Sequence, residues 1–119
     1  MKLGVIADCL KLPLAEAVEK AAALKLDGVQ IYATGGAFSP GVLTDREKAF
    51  YRDLLARTGL TVSALCGDMG GHGFEIAADN RERIEKTKRI VDLAAEFGSR
   101  VVTTHIGVIP SDPKEPRYR

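Results

Sequence analysis

Three phrases in this chain share one grammar. "ALKLDGVQI", "LARTGLTVS" and "LAAEFGSRVV" each close an apolar helical stretch, turn at a glycine (Gly28, Gly59, Gly98) and open a run suited to a β-strand. A repeated α-turn-β unit leaves few folds open, because strands that alternate with helices pair in parallel through crossover connections. The expected class is therefore α/β, built of parallel βα units. Strands are expected at 3–7, 28–32, 61–65 and 100–104, each short, rich in Val, Ile or Leu, and bounded by glycine or polar residues.

Between the strands the apolar spacing turns helical. In "PLAEAVEKAAALKL", Pro13 suits a first helical position, and Leu14, Ala17, Val18, Ala21 and Ala22 fall on one buried stripe. A second helix opens at "TDRE", where Thr44 and Glu47 have the spacing of a capping box, and Phe50 and Leu54 mark its apolar side. A third begins in "DNRERIEKTKRIVDLAAEFG", with Asp79 or Asn80 as cap, Ile84, Val91 and Ala95 facing inward, and Gly98 as terminator. Its Arg and Lys residues read as a solvated face. Periodicity leaves open whether the strands form a barrel or an open sheet.

The 119 residues are 45% hydrophobic and 28% charged, enough for one domain with its own core. Seventeen basic against 16 acidic side chains give a formal charge of +1, so no long-range field favours phosphate backbones or anionic membranes. No nucleic acid and no membrane partner is expected. The start "MKLGVIADCL" runs straight into a strand rather than a signal-peptide block, which makes a cytoplasmic location the expectation. Cys9 and Cys66 lie in strand-like runs without CxxC spacing and read as small buried thiols rather than a disulfide or a zinc site. After the fourth strand, "IGVIPSDPKEPRYR" carries Pro110, Pro113 and Pro116, a density that fits a loop and not a helix. Residues 108–119 are thus expected to be a Pro-rich βα loop ending mid-element, and 1–119 a single partial domain, apparently truncated.

The phrases "MKLGVIAD", "ALKLDGVQIYA", "GLTVSALCGDMGG" and "FGSRVVTTHIG", in that order, resemble the N-terminal half of the xylose isomerase-like TIM barrels. That sugar phosphate isomerase/epimerase group also includes endonuclease IV. The resemblance implies a barrel of eight strands and about 250 residues, of which four strands and three helices are present here. It further implies a divalent metal (Mn, Mg, Co or Zn) held by Glu, Asp, His and Glu of later strands, with the glutamates moving a proton beside a sugar carbonyl. Those ligands are expected beyond Arg119, so no catalytic residue is assigned in this chain, which alone should be inactive. Gln30 departs from relatives, which often carry an acidic residue there.

By the same resemblance this half supplies walls of a carbohydrate cavity. Residues at the C-terminal strand ends of a TIM barrel surround the active site, which nominates Asp8, Tyr32, Asp68, His72 and His105 by position. The substrate-binding set is His105, His72, Tyr32, Cys66 and Asp68. His105 follows "VVTT" and offers an imidazole to a sugar hydroxyl, and His72 sits in the glycine-rich "GDMGGHGF". Both are expected to face one cavity, with Tyr32 as a wall. His72 and His105 would be metal ligands only under an endonuclease IV-like alternative, a DNA repair nuclease that the near-neutral charge disfavours. Cys66 either touches substrate or fills space, and Asp68 and Glu75 are acid/base candidates or turn formers. The glycine run has neither GxGxxG before a helix nor GK[ST], so it is no phosphate loop. A third reading is a non-catalytic half-barrel. The partners expected are thus a small carbohydrate and either the missing C-terminal half or a second copy of the chain.

Overall fold

The computed structural model describes residues 1–116. Strands β1 (Gly4–Ile6), β2 (Gly28–Tyr32), β3 (Thr61–Cys66) and β4 (Val102–Thr103) alternate with helices α1 (Leu14–Ala23), α2 (Asp45–Thr58) and α3 (Ala77–Glu96). All pairings are parallel and the spatial order is β1-β2-β3-β4. A doubly wound sheet would reverse its strand order at a switch point. Here the order follows the chain without reversal, so the four units form half of a (β/α) barrel.

One face of the sheet meets the helices. Ala17, Val18 and Ala21 of α1, Leu54 and Leu55 of α2, and Ile90, Leu93 and Ala94 of α3 close over Val29, Ile31, Val62 and Leu65. Phe38, from the β2–α2 connection, stands edge-on to Tyr51 and Phe97, with ring centroids 5.4 and 4.9 Å away. The opposite face is polar. A bulge sets Val29 beside Val62 and Gln30 beside Ala64, leaving Ser63 as the extra residue, after which Tyr32 pairs with Cys66 and Cys66 with Thr103.

The turn grammar survives with one change. Gly59 and Gly98 take left-handed φ of 72° and 70°, but before β2 that conformation falls on Lys25 (φ 58°), and Gly28 is already in the strand. Pro13 caps α1 from outside instead of occupying its first position. The end strands are shorter than expected, and β4 has two residues; it pairs only with β3 among the described elements. Helix α3 starts earlier than expected, at Ala77 after Ile76, so Asp79 and Asn80 lie inside the first turn and do not cap it. Its buried stripe is also rotated: Ile84, Val91 and Ala95 are exposed, because Ile90, Leu93 and Ala94 fill the contact with the sheet. Phe50 likewise is half exposed against the Tyr51 ring, and α2 packs through Leu54 and Leu55. Cys9 is exposed in a single 3₁₀ turn after β1, not buried in a strand; Cys66 is buried, and both are free thiols.

The Pro-rich end holds bends and turns over 111–115 and no α-helix among the described residues, and 117–119 lie outside them. No helix of the described residues is long and apolar enough to cross a membrane.

The capping box is present as the sequence predicts. Thr44 Oγ1 accepts the Glu47 N–H at 3.3 Å, and the Glu47 carboxylate accepts the Thr44 N–H at 2.8 Å. Replacing Thr44 by Ala is expected to cost about 1 kcal/mol in denaturant unfolding. The hydrogen bonds from the Thr44 hydroxyl and then its backbone hold the Glu47 carboxyl below its ordinary range. This stabilisation is present above the unfolded carboxylate pKa and is lost as pH falls through the lower folded value. The Ala variant should therefore show a shallower loss of stability on acidification.

Candidate active site at the strand ends

At their C-terminal ends the strands deliver their side chains to one edge of the sheet. Asp8 follows β1 directly, and its carboxylate accepts the Tyr32 backbone N–H at 3.0 Å, which ties the end of β1 to that of β2. Tyr32, the last residue of β2, is paired with Cys66 at the end of β3. The Tyr32 side chain is substantially exposed. Its phenol is held above the ordinary tyrosine value, first by the Cys66 thiol, then by partial loss of hydration, Cys9, Asp8 and Asp68. Each of these neighbours disfavours a phenolate. At neutral pH the phenol, like any tyrosine, carries its proton and can donate a hydrogen bond. On the same face Gln30 Nε2 donates to Thr103 Oγ1 at 3.2 Å, spanning from β2 to β4 over the small Ala64.

Two concavities open here. One of about 160 Å³ is lined by Ala7, Asp8, Leu12, Ile31, Tyr32 and Phe38. A wider groove of about 480 Å³ runs past Thr34, Asp68, Met69, Asp79, Arg83 and Lys86. The β3–α3 loop supplies its wall. Asp68 Oδ1 accepts the Gly70 N–H at 2.7 Å, closing a tight turn. Asn80 Nδ2 donates to the Phe74 carbonyl at 3.0 Å, and Arg83 donates to the Gly70 carbonyl at 3.2 Å.

The strand-end segment after β4 lies against this loop. Phe74 N–H donates to the Ile106 carbonyl at 3.1 Å, and Val108 N–H donates to the Glu75 carboxylate. Gly73 makes the approach possible: its φ is 58°, and a Cβ there would stand 2.6 Å from the His105 carbonyl oxygen. Gly73→Ala is expected to cost about 1–3 kcal/mol through backbone strain and loss of this seat. Comparing thermal unfolding with Gly71→Ala, which has left-handed φ but only an Arg83 side-chain atom at 3.7 Å, separates strain from crowding.

Of the residues nominated from sequence, Tyr32, Cys66, Asp68 and Asp8 act on one phenol. His105 sits two residues beyond β4, half-buried, with its backbone against Gly73. His72 is turned to α3, with Nε2 at 2.8 Å from Asp79 and Nδ1 at 3.3 Å from Arg83. Neither concavity is lined by either histidine. Cys9, Gln30, Thr103, Asp79 and Arg83 were not nominated. For the last two, the available signal was their spacing of four on a helix that follows a glycine-rich loop.

The residues described do not themselves make a metal site. No group of three or more His, Cys, Asp or Glu side chains among them could hold an ion, and both ring nitrogens of His72 already have partners.

Comparison with known proteins agrees with this architecture. A profile of the xylose isomerase-like TIM barrel family matches residues 18–119. A xylose isomerase domain protein from Planctomyces limnophilus superposes with a TM-score of 0.71 at 24% identity, over 98% of this chain and 44% of its own. A probable 3-DHS dehydratase, AsbF, involved in petrobactin synthesis in Bacillus anthracis, gives 0.69 at 17% identity, over 87% of this chain and 38% of its own. The apo form of 3-keto-D-glucoside 4-epimerase, YcjR, from E. coli gives 0.58 at 17% identity, over 88% and 37%. The chain thus spans less than half the length of each of these structures, and no curated protein matches it. With a matching profile over most of its length and a parallel sheet in barrel order, the chain belongs to the xylose isomerase-like TIM barrel family.

Proposed function

We propose that residues 1–119 are the N-terminal half of a barrel that isomerises or epimerises a small sugar or sugar phosphate by moving a proton beside a carbonyl. This half binds and orients the substrate. The observation that carries the reading is the cluster of polar side chains at the strand ends, where Tyr32 is paired beside Cys66 and its backbone N–H is held by the Asp8 carboxylate. A polyhydroxylated ligand needs donors and acceptors side by side. Tyr32 donates to a substrate oxygen, and the carboxylates of Asp8 and Asp68 accept from its hydroxyls. His105, beyond β4, is assigned to the far side of the same substrate. The fold's relatives support carbonyl chemistry, since one is a keto-glucoside epimerase and another a probable dehydratase.

A divalent metal and the acid/base groups are proposed to come from strands outside this chain. No step is assigned to the metal here. The test is to incubate the full-length protein with ketoses and their phosphates in deuterium oxide, following exchange beside the carbonyl by NMR. Enzyme-dependent deuterium incorporation supports the reading. No exchange with any carbohydrate carbonyl, under conditions where these ligands bind, would overturn it.

A further inference from the structure

The glycine-rich loop after β3 forms a wall of the groove that lacks regular structure. Gly70, Gly71 and Gly73 all have left-handed φ, of 67°, 63° and 58°. Within the loop, Gly73 N–H donates to the Gly70 carbonyl at 3.4 Å and Glu75 N–H to the His72 carbonyl at 3.1 Å, a sparse set of backbone bonds for a segment that carries Asp68. The segment after β4 adds a tie at Phe74, and side chains of α3 supply others.

Arg83 is the centre of them. One guanidinium nitrogen donates to the Gly70 carbonyl at 3.2 Å and the other meets His72 Nδ1 at 3.3 Å. A guanidinium has donors and no acceptor, so Nδ1 must be the bare, accepting nitrogen of the ring. The proton then sits on Nε2, which donates to the Asp79 carboxylate at 2.8 Å. Asp79 and Arg83 lie one turn apart on α3, and the imidazole is clamped between them with its side chain 21% exposed. Gly70, gripped through its carbonyl, donates its own N–H to Asp68 Oδ1 at 2.7 Å. A chain of hydrogen bonds therefore runs from the first turns of α3 through the loop to a carboxylate that lines the groove. Among the other charged groups of this part of α3, Glu82 pairs with Lys86 at 2.6 Å and Glu85 with Lys88 at 2.8 Å.

We propose that Arg83, oriented by the His72–Asp79 pair, is a positioning residue that fixes the β3–α3 loop and thereby sets where Asp68 presents its carboxylate to the substrate. On this inference His72 works through the loop rather than on the ligand. The value of Asp68 to substrate rests on the function proposed above; the mechanical part does not.

The experiment is residue-resolved amide hydrogen exchange on the full-length protein and its Arg83→Gln, His72→Ala and His72→Asn variants, with no substrate present. Loss of a hydrogen bond to a charged group predicts exchange about tenfold faster, or more, at Gly70 to Phe74 in the first two variants. The amides of β3 should be unchanged. His72→Asn should restore slow exchange, since its amide oxygen can accept from Arg83 where Nδ1 did. Nitrogen-15 shifts of the wild-type ring should show the proton on Nε2. Unchanged loop exchange, equal acceleration in loop and β3, failure of Asn to rescue, or a proton on Nδ1 would each overturn the proposal. Should the loop respond as stated while Tyr32 variants keep full activity, the functional reading falls and the positioning role stands.

Discussion

Tyr32→Phe is expected to lower kcat/KM for a carbohydrate carbonyl substrate about 10- to 100-fold, the range for losing one donor in a site built to bind hydroxyls. Melting temperature should hardly move. The phenol is largely in solvent, and the bond that joins Tyr32 to Asp8 uses its backbone N–H, which Phe keeps. A companion measurement needs no substrate. With ring-labelled tyrosine, the signal that disappears in the Phe variant should titrate above free tyrosine, and Asp68→Asn should bring it down by removing one charge that opposes the phenolate. Unchanged kcat/KM, or a drop in step with stability, would show that the hydroxyl has no part in binding.

Leu65→Ala is expected to act the other way, on stability first. Leu65 is fully buried on β3, which is flanked by β2 and β4, and it faces the layer formed by the three helices. Truncation there leaves a cavity and costs about 2–5 kcal/mol. That is a large part of the 5–15 kcal/mol that holds a typical domain folded. Urea unfolding followed by circular dichroism should show an earlier midpoint with an unchanged slope. A loss below about 1 kcal/mol would mean that the layer collapses into the gap, and that the core is softer than its burial implies.

The fold was legible because local signals agreed with one another. Thr44 and Glu47 named a helix start, Ala17, Val18 and Ala21 named a buried stripe, and the repeated turn named parallel strands. The repeat alone left strand order open, since it also serves open sheets; the resemblance to the xylose isomerase-like barrels implied it, and the structure has that order. The miss on α3 has a physical cause. Ile84, Val91 and Ala95 form a stripe as regular as that of Ile90, Leu93 and Ala94, and sequence cannot say which of two apolar stripes meets the sheet. The site candidates came from position alone: a residue at or just past a strand end qualifies, which nominated Asp8, Tyr32, Cys66 and Asp68, and the structure brings these four near one another at the sheet edge. Partners across the fold have no such signature. Gln30 and Thr103 meet only because Ala64 between them is small, and His72 reads as a ligand candidate until Asp79 and Arg83 are seen on either side of it.

The bulge at Ser63 determines which residues share each face of the sheet. Beyond it Tyr32, Cys66 and Thr103 share one row, and Ile31, Leu65 and Val102 share the row on the opposite face. Parity along the strand decides whether a residue meets the helices or the opposite side of the sheet. A deletion at Ser63 would only remove the bulge, whereas one residue inserted after Ala64 would reverse the faces of the rest of β3, placing Cys66 under the helices and Leu65 on the opposite side. Substitutions respect the partition, and an insertion beyond the bulge does not. Residues of the open face can therefore be exchanged in place, while an added residue past the bulge displaces that face and the core at once.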